Sequence, residues 1–247
     1  MVMAKIVTHH LNILESSTVT STPSAATSYP VYRLYDRHIG RMYIAGSAAS
    51  TTIHVDQGGS TIQEVDKLII PAGHNLHGLL CTLSYSDNDS AWTVHKQWTQ
   101  NGSAIIEEAF TAATHRYWRL VITSPSSAVQ IPELFLTKAY TWERNPESLD
   151  RGVYPVFNVE RREDAAGRPR FVEFGNSRRA RKYELYKVHD NDNTALLALN
   201  IAWAGKKPFY LKDHDADLIF GELTEPLQFA VSGSYIDTPF NFLEVLA

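Results

Sequence analysis

The sequence predicts a mostly β protein built as two β-sandwich domains, the second carrying one packed α-helix. Three observations carry this. Short segments rich in β-branched and aromatic residues recur along the chain, each closed by polar turn residues. A polar break at 143–152 divides these segments into two sets. One stretch alone, at 193–204, combines an apolar face with helix start and stop signals. A chain of 247 residues suits one large or two small domains and buries a core without covalent staples.

In chain order, residues 5–14 alternate loosely, as a strand can. Residues 15–30 are rich in Ser, Thr, Ala and Pro and read as a loop or flexible arm. Residues 1–30 are therefore expected to be an N-terminal strand and arm, 31–145 the first sandwich and 146–247 the second. Ile53 and Val55 alternate with Thr52, His54 and Asp56, the period of a half-buried strand. Leu68-Ile69-Ile70, closed by Pro71-Ala72-Gly73, suits a strand buried on both faces. Leu79 to Tyr85 is a further strand, with its turn at Ser86-Asp87-Asn88-Asp89. Segments 117–123 and 133–141 complete the first set.

The second set starts with strands at 153–161, 169–175 and 181–188. A helix follows, with Asp192 or Asn193 as N-cap. Leu196, Leu199 and Trp203 share its inward face, Ile201 flanks them, and Gly205 is expected to take the left-handed conformation that ends it before Pro208. Strands at 208–212, 218–223, 227–232 and 239–246 close the chain.

Net charge is −4, so no overall basic field favours nucleic acid or an anionic membrane. No apolar run approaches the roughly 20 residues of a membrane span. His9, His10 and Asn12 interrupt the N-terminal segment, so no secretory leader is expected and the chain is expected to be made in the cytoplasm. Cys81 is the single cysteine, which excludes an internal disulfide; its apolar flanks make it a small buried hydrophobe.

Few residues point to chemistry. No nucleophile elbow and no phosphate loop is present. Glu107 and Glu108 would face opposite sides of an extended segment. The sequence predicts no catalytic residues and no enzyme. His74 and His77 have a metal-like spacing but lack further ligands nearby. Acidic clusters stand at 87–89, 190–193 and 213–217; none completes a calcium loop, and Asp and Asn fill tight turns for local reasons. No cofactor is expected beyond a structural calcium, for which Asp87 with Asp89 is the candidate site. The densest basic run, Arg178, Arg179, Arg181 and Lys182, reads as a solvated hairpin or as a contact to an acidic neighbouring subunit. Of the aromatics, Trp92 and Trp98 are the candidate pair for stacking on a sugar ring, although such residues are more often core.

The motifs Leu34-Tyr35-Asp36, Ile53-His54-Val55-Asp56-Gln57-Gly58, Ile69-Ile70-Pro71-Ala72-Gly73-His74-Asn75-Leu76, Tyr117-Trp118-Arg119-Leu120 and Pro132-Glu133-Leu134-Phe135-Leu136 make residues 28–145 resemble a galactose-binding-like, discoidin-type jelly roll. The string Ala139 to Pro146 is similar to one found where such domains sit in tailed-phage structural proteins. The helix, Lys207-Pro208-Phe209-Tyr210-Leu211 and Phe240 to Val245 make the second half resemble the sandwich of phage distal-tail and tail-tube proteins. The resemblance implies a virion protein of the tail tip or baseplate. Such a protein forms a homo-oligomeric ring, a homohexamer in most cases, that joins the tail tube protein to the baseplate hub protein. Here the galactose-binding-like domain comes first, whereas distal-tail proteins put the ring domain first. The alternative is a lectin-like module that holds host-surface glycan. Neither reading involves membrane insertion or sequence-specific nucleic acid binding.

Overall fold

The computed structural model describes residues 5–59, 61–142, 152–156, 159–163, 169–173, 178–188, 192–212, 217–227, 230–232 and 235–245; for the strands at 152–188 and for 230–239 it describes backbone alone. The chain forms two compact units. One is Leu11–Ala139. The other joins the segment ending at His10 to the chain from Tyr140 onward. The first strand, β1 (Val7–His9), therefore belongs with the second unit.

The unit Leu11–Ala139 is a β-sandwich. Its strands are β2 (Thr18–Thr22), β3 (Tyr43–Ile44), β4 (Thr51–Asp56), β5 (Val65–Ile70), β6 (Leu80–Ser86), β7 (Thr93–Thr99), β8 (Ile106–Ala113), β9 (Tyr117–Thr123), β10 (Gln130–Ile131) and β11 (Phe135–Thr137). One sheet runs β2-β4-β9-β6-β7, a second β11-β5-β8, and β3 pairs with β10. All these pairings are antiparallel. The alternation in β4 and β9 sets their facing. Ile53, Val55, Trp118, Leu120 and Ile122 point inward and meet Leu68, Ile70, Ile106 and Leu136 from the opposite sheet. Each such side chain removed from water contributes about 1.5–3 kcal/mol before entropy is counted.

The arm expected over 15–30 is in part a strand. β2 pairs with β4 from Thr18↔Asp56 to Thr22↔Thr52. It lies at a sheet edge and buries only Val19, so its Ser/Thr composition reads as loop although threonine suits a pleated surface. The segment at 133–141 holds two short strands, of which only Phe135–Thr137 belongs to a sandwich sheet. Asn12 joins its ends: Nδ2 donates to the Leu134 carbonyl at 2.8 Å, and Oδ1 accepts from Leu136 N at 3.2 Å and Leu14 N at 3.3 Å. Beside it lies Glu133, which is fully buried. Its Oε2 accepts from Arg37 N at 3.1 Å, while its Oε1 has no partner. Burial, and then the neighbouring Asp36 carboxylate, push this acid up to about 9.

The second unit has β12 (Tyr140–Thr141), β13 (Gly152–Val156), β14 (Val159–Glu163), β15 (Pro169–Glu173), β16 (Arg178–Val188), α1 (Asn193–Ala204), β17 (Phe209–Lys212), β18 (Leu218–Leu223), β19 (Ala230–Ser232) and β20 (Tyr235–Glu244). Its main sheet runs β12-β1-β17-β18-β20-β16-β13, with β19 on β20, and β14 and β15 form a separate hairpin. The division expected at residue 146 falls instead at 139/140, because Thr141 pairs with Val7 and Tyr140 with Thr8. Gly221 in β18 lies opposite Phe209 and Glu244. A β-carbon on it would sit 2.3 Å from the Leu243 carbonyl oxygen and 2.6 Å from the Phe242 ring.

The helix has the expected bounds but not the expected details. Asp192 stands at the N-cap position with no capping bond; its carboxylate accepts the Tyr140 hydroxyl instead. Ala195, Leu196 and Leu199 face the core with Ile6, Trp142, Phe209 and Phe242, and Ala202 is buried as well. Trp203 falls in angle between Leu196 and Leu199, as expected, yet is 36% exposed, because it stands in the last turn, where it lines an open cleft with Lys206, Lys207 and Glu222. Gly205 keeps φ −80°, and Lys206 takes the left-handed conformation at φ 49°. Lys206 N bonds to Trp203 O and Lys207 N to Ala202 O, both at 2.9 Å, which is a Schellman ending placed one residue later than expected. Among the described residues, no helix is long and apolar enough to cross a membrane.

Candidate functional site

The outer face of the five-stranded sheet gathers the chemistry. Register places His54, Arg119 and Ser84 in one row across β4, β9 and β6, and Asp56, Tyr117 and Ser86 in the next. These are the positions that alternate with the buried Ile53, Val55, Trp118 and Leu120, so the strand period that builds the core also presents this row.

The β6–β7 turn brings Trp92 over the first row. Asn88 organises the turn: its Oδ1 accepts from Ser90 N at 3.0 Å and Ala91 N at 2.9 Å, and its own N–H donates to Ser86 Oγ at 3.2 Å. Asp89 takes φ 58°, a conformation that aspartate tolerates in turns. Trp92, half-buried, is covered on one side by the Arg119 guanidinium, 4.3 Å from its ring centroid. His54 meets the same indole edge-on at 5.7 Å and pairs through Nε2 with Asp89 Oδ1 at 2.7 Å. In the second row, Arg116 holds Asp56 in a fork of 2.8 and 3.1 Å and lies over Tyr117 at 4.6 Å. The Arg116 hydrogen bond lowers the Asp56 carboxyl below its ordinary range. The result is an aromatic plate framed by donors and acceptors, an arrangement that can seat a ring carrying hydroxyl groups.

Trp98, the other expected stacking residue, is on the inner side. It lies opposite Cys81 in β6 and packs on the core, with its indole nitrogen buried and unpartnered. The register shift between Leu83 and Ser84 intervenes along β7 between the two tryptophans, which end on opposite faces. Asp87 and Asp89, paired in sequence as a calcium candidate, are engaged by different histidines. Asp87 Oδ1 binds His115 Nδ1 at 2.9 Å, and that imidazole stacks on Tyr85 at 3.6 Å. Among the described residues, no group of three or more His, Cys, Asp or Glu side chains is placed to hold a metal.

His74 and His77 serve loops. His74 is buried; its Nε2 donates to Ala104 O at 2.9 Å and its Nδ1 accepts from Leu76 N at 3.2 Å, which fixes the neutral tautomer, and burial lowers its pKa. His77 Nδ1 accepts from Gly102 N at 2.6 Å. Glu107 and Glu108 take separate partners, Lys67 at 2.9 Å and Lys96 at 3.3 Å, as opposite facing requires. Burial of Cys81 pushes its thiol up to about 12, so it is not a reactive thiolate near neutral pH. Arg178, Arg179, Arg181 and Lys182 lie on β16, but their side chains lie outside the described residues, as do 190–191 and 213–216 of the other acidic clusters.

No family model matches this chain, and no curated protein matches it. Solved structures resemble about half of it. Chitosan-binding module 1 from a chitosanase/glucanase of Paenibacillus sp. IK-5 is 20% identical at TM-score 0.45, covering 53% of this chain and 99% of that one. A family 32 carbohydrate-binding module of Clostridium perfringens NanJ, in complex with galactose, is 15% identical at TM-score 0.45, covering 53% of this chain and 99% of that one. A pectin-binding carbohydrate-binding module is 13% identical at TM-score 0.40, covering 49% and 89%.

Histidine 54 and Arg119 were not legible as site residues in the sequence. The signal that marks them is the outward phase of two strands whose inward phase is strongly apolar, read together with a tryptophan at the end of a neighbouring turn.

Proposed function

We propose that the sandwich unit is a carbohydrate-binding module and that its binding face is the one centred on Trp92. The observation that carries this is the indole itself, half-buried yet open to one side, held by Arg119 and His54 and bordered by Asp89 and the Asp56–Arg116 pair. A sugar ring stacks its C–H face on such a plate while neighbouring polar groups take its hydroxyls. Trp92→Ala is expected to lower retention on immobilised glycan ten-fold or more. Trp98→Phe, which keeps a ring in the core and removes an unpartnered donor, is expected to leave retention unchanged. Affinity electrophoresis against a glycan panel, with thermal melts as a folding control, checks both. Equal retention by the Trp92 variant and the native chain would reject the site.

A second reading is favoured by α1. Leu197 is 59% exposed and Ile201 66%, one turn apart on the outer face of the helix. The same helix ends at an open cleft of about 620 Å³, lined by Trp203, Lys206, Lys207, Glu222 and Thr224 among others. The cleft offers both cations and an anion, so a second copy of this chain can meet it with opposite charges facing. The second unit would then be an assembly surface, in its fullest form that of a ring subunit of a tailed-phage tail tip. The double substitution Leu197→Glu with Ile201→Glu is expected to reduce the solution mass from an oligomer to a monomer by light scattering, at unchanged circular dichroism. A native chain that stays monomeric at high concentration would count against self-association through this face.

A further inference from the structure

The outer face of the sandwich has an uneven charge pairing. Each carboxylate on it already has a cationic or imidazole partner: Asp56 has Arg116, Asp89 has His54 and Asp87 has His115. Arg119 has none. It makes no hydrogen bond or ion pair among the described residues; its contact is the Trp92 indole, and its Nε is buried without a partner. A guanidinium held over an aromatic ring by its face still has its two terminal nitrogens for hydrogen bonding, and that pair can receive a carboxylate with two parallel bonds. Its neighbours in the row, Ser84 and His54, bring no anion other than the Asp89 carboxylate that His54 holds.

We infer that this face selects an acidic sugar, one carrying a carboxylate such as a uronic acid, with the ring against Trp92 and the carboxylate on the open edge of Arg119. This rests on the glycan-binding reading above and names the class of glycan. A neutral sugar would leave the guanidinium without a partner in a site that the ligand has closed to water, which is the costly case for a charged donor. A positively charged amino sugar would be repelled by it.

The test uses the full chain and two forms of one polymer, alginate and alginate with its carboxylates esterified, by affinity electrophoresis and calorimetry. The native chain is expected to bind the acidic form at least ten-fold more tightly, and that preference is expected to shrink as salt is raised from 50 to 500 mM, roughly, since a charge contact is screened. Arg119→Gln is expected to lose the preference while still binding the ester, and Arg119→Lys to recover it in part, having a charge but no fork. Trp92→Ala is expected to lose both ligands. Equal binding of the two polymers by the native chain overturns the acidic selectivity and leaves the glycan-binding reading in place. Binding to neither, and to no member of a neutral glycan panel, overturns both. If Arg119→Gln fails to fold, the Lys variant and the salt series still decide between these outcomes.

Discussion

The native chain is expected to lose stability steeply between about pH 5 and pH 9, and replacing Glu133 with glutamine is expected to remove that loss. In the folded chain this carboxyl is fully buried, and burial with the nearby Asp36 raises it to about 9 from an ordinary 4.5. The unfolded chain ionises near the ordinary value. Between the two, the folded state holds a proton that the unfolded state has released, so unfolding becomes easier as pH rises. The stabilising contribution is whole below about pH 4.5, erodes at about 1.4 kcal/mol per pH unit, and is spent once the folded acid itself ionises near 9. Arg37 N–H bonds to Oε2 and its guanidinium pull the other way, but burial outweighs them. Glutamine keeps an acceptor for Arg37 N–H and does not titrate. Urea denaturation from pH 5 to 9, roughly, should therefore give a sloping midpoint for the native chain and a flat one for Glu133→Gln, with the variant the more stable at pH 8. Parallel slopes would show that this acid does not hold its proton in the fold.

Gly221→Ala is expected to be among the most damaging single methyl additions available in the second unit. The added carbon would fall 2.3 Å from a backbone carbonyl oxygen of β20, which cannot rotate away, and 2.6 Å from the Phe242 ring. Phe209 lies directly across from Gly221, and its ring meets that of Phe242 at 5.2 Å. The glycine thus leaves the space in which two aromatic rings from flanking strands close over the sheet, an arrangement known to compensate a glycine's weak strand propensity. Moving β18 from β20 to relieve the clash would break the pairs Gly221↔Glu244 and Glu222↔Leu243. A cost of about 3 kcal/mol or more is expected, read from tryptophan fluorescence during denaturation, since Trp142 lies in the core of the same unit. A change within about 0.5 kcal/mol would show that the strands have room to separate.

How far the sequence disclosed all this depended on what each strand buries. β4 and β9 were legible because one phase is purely apolar and the other polar. β7 and β8 were not expected as strands. Their exposed and half-exposed residues outnumber the buried ones, so the period-2 signal is faint, and their place at the sheet edges imposes no other pattern. β2 was hidden in the same way by its Ser/Thr composition. In the site, Trp92 could be picked out because it follows a turn. Arg119 and His54 could not be joined to it, because their proximity depends on the register between strands that lie more than sixty residues apart in the chain. Trp98 was assigned to the wrong face for a related reason: inside and outside on β7 are fixed by its partners Cys81 and Thr82, not by its own neighbours. In α1 the phase of Leu196, Leu199 and Trp203 was legible, but not the exposure of Trp203, which depends on how the chain beyond the helix leaves the last turn uncovered.

β1 fills the gap between β12 and β17, pairing Val7 with both Thr141 and Lys212. During synthesis that short strand precedes its partner at Phe209–Lys212 by some 200 residues. At roughly 5–20 residues per second the delay is about 10–40 s, far longer than hairpins or helices need to form. The sandwich can fold while β1 still waits for β17, and the second unit must then recruit a strand that precedes the finished domain in the chain. A tag, cleavage site or truncation placed among the first ten residues would thus act on the domain that is completed last.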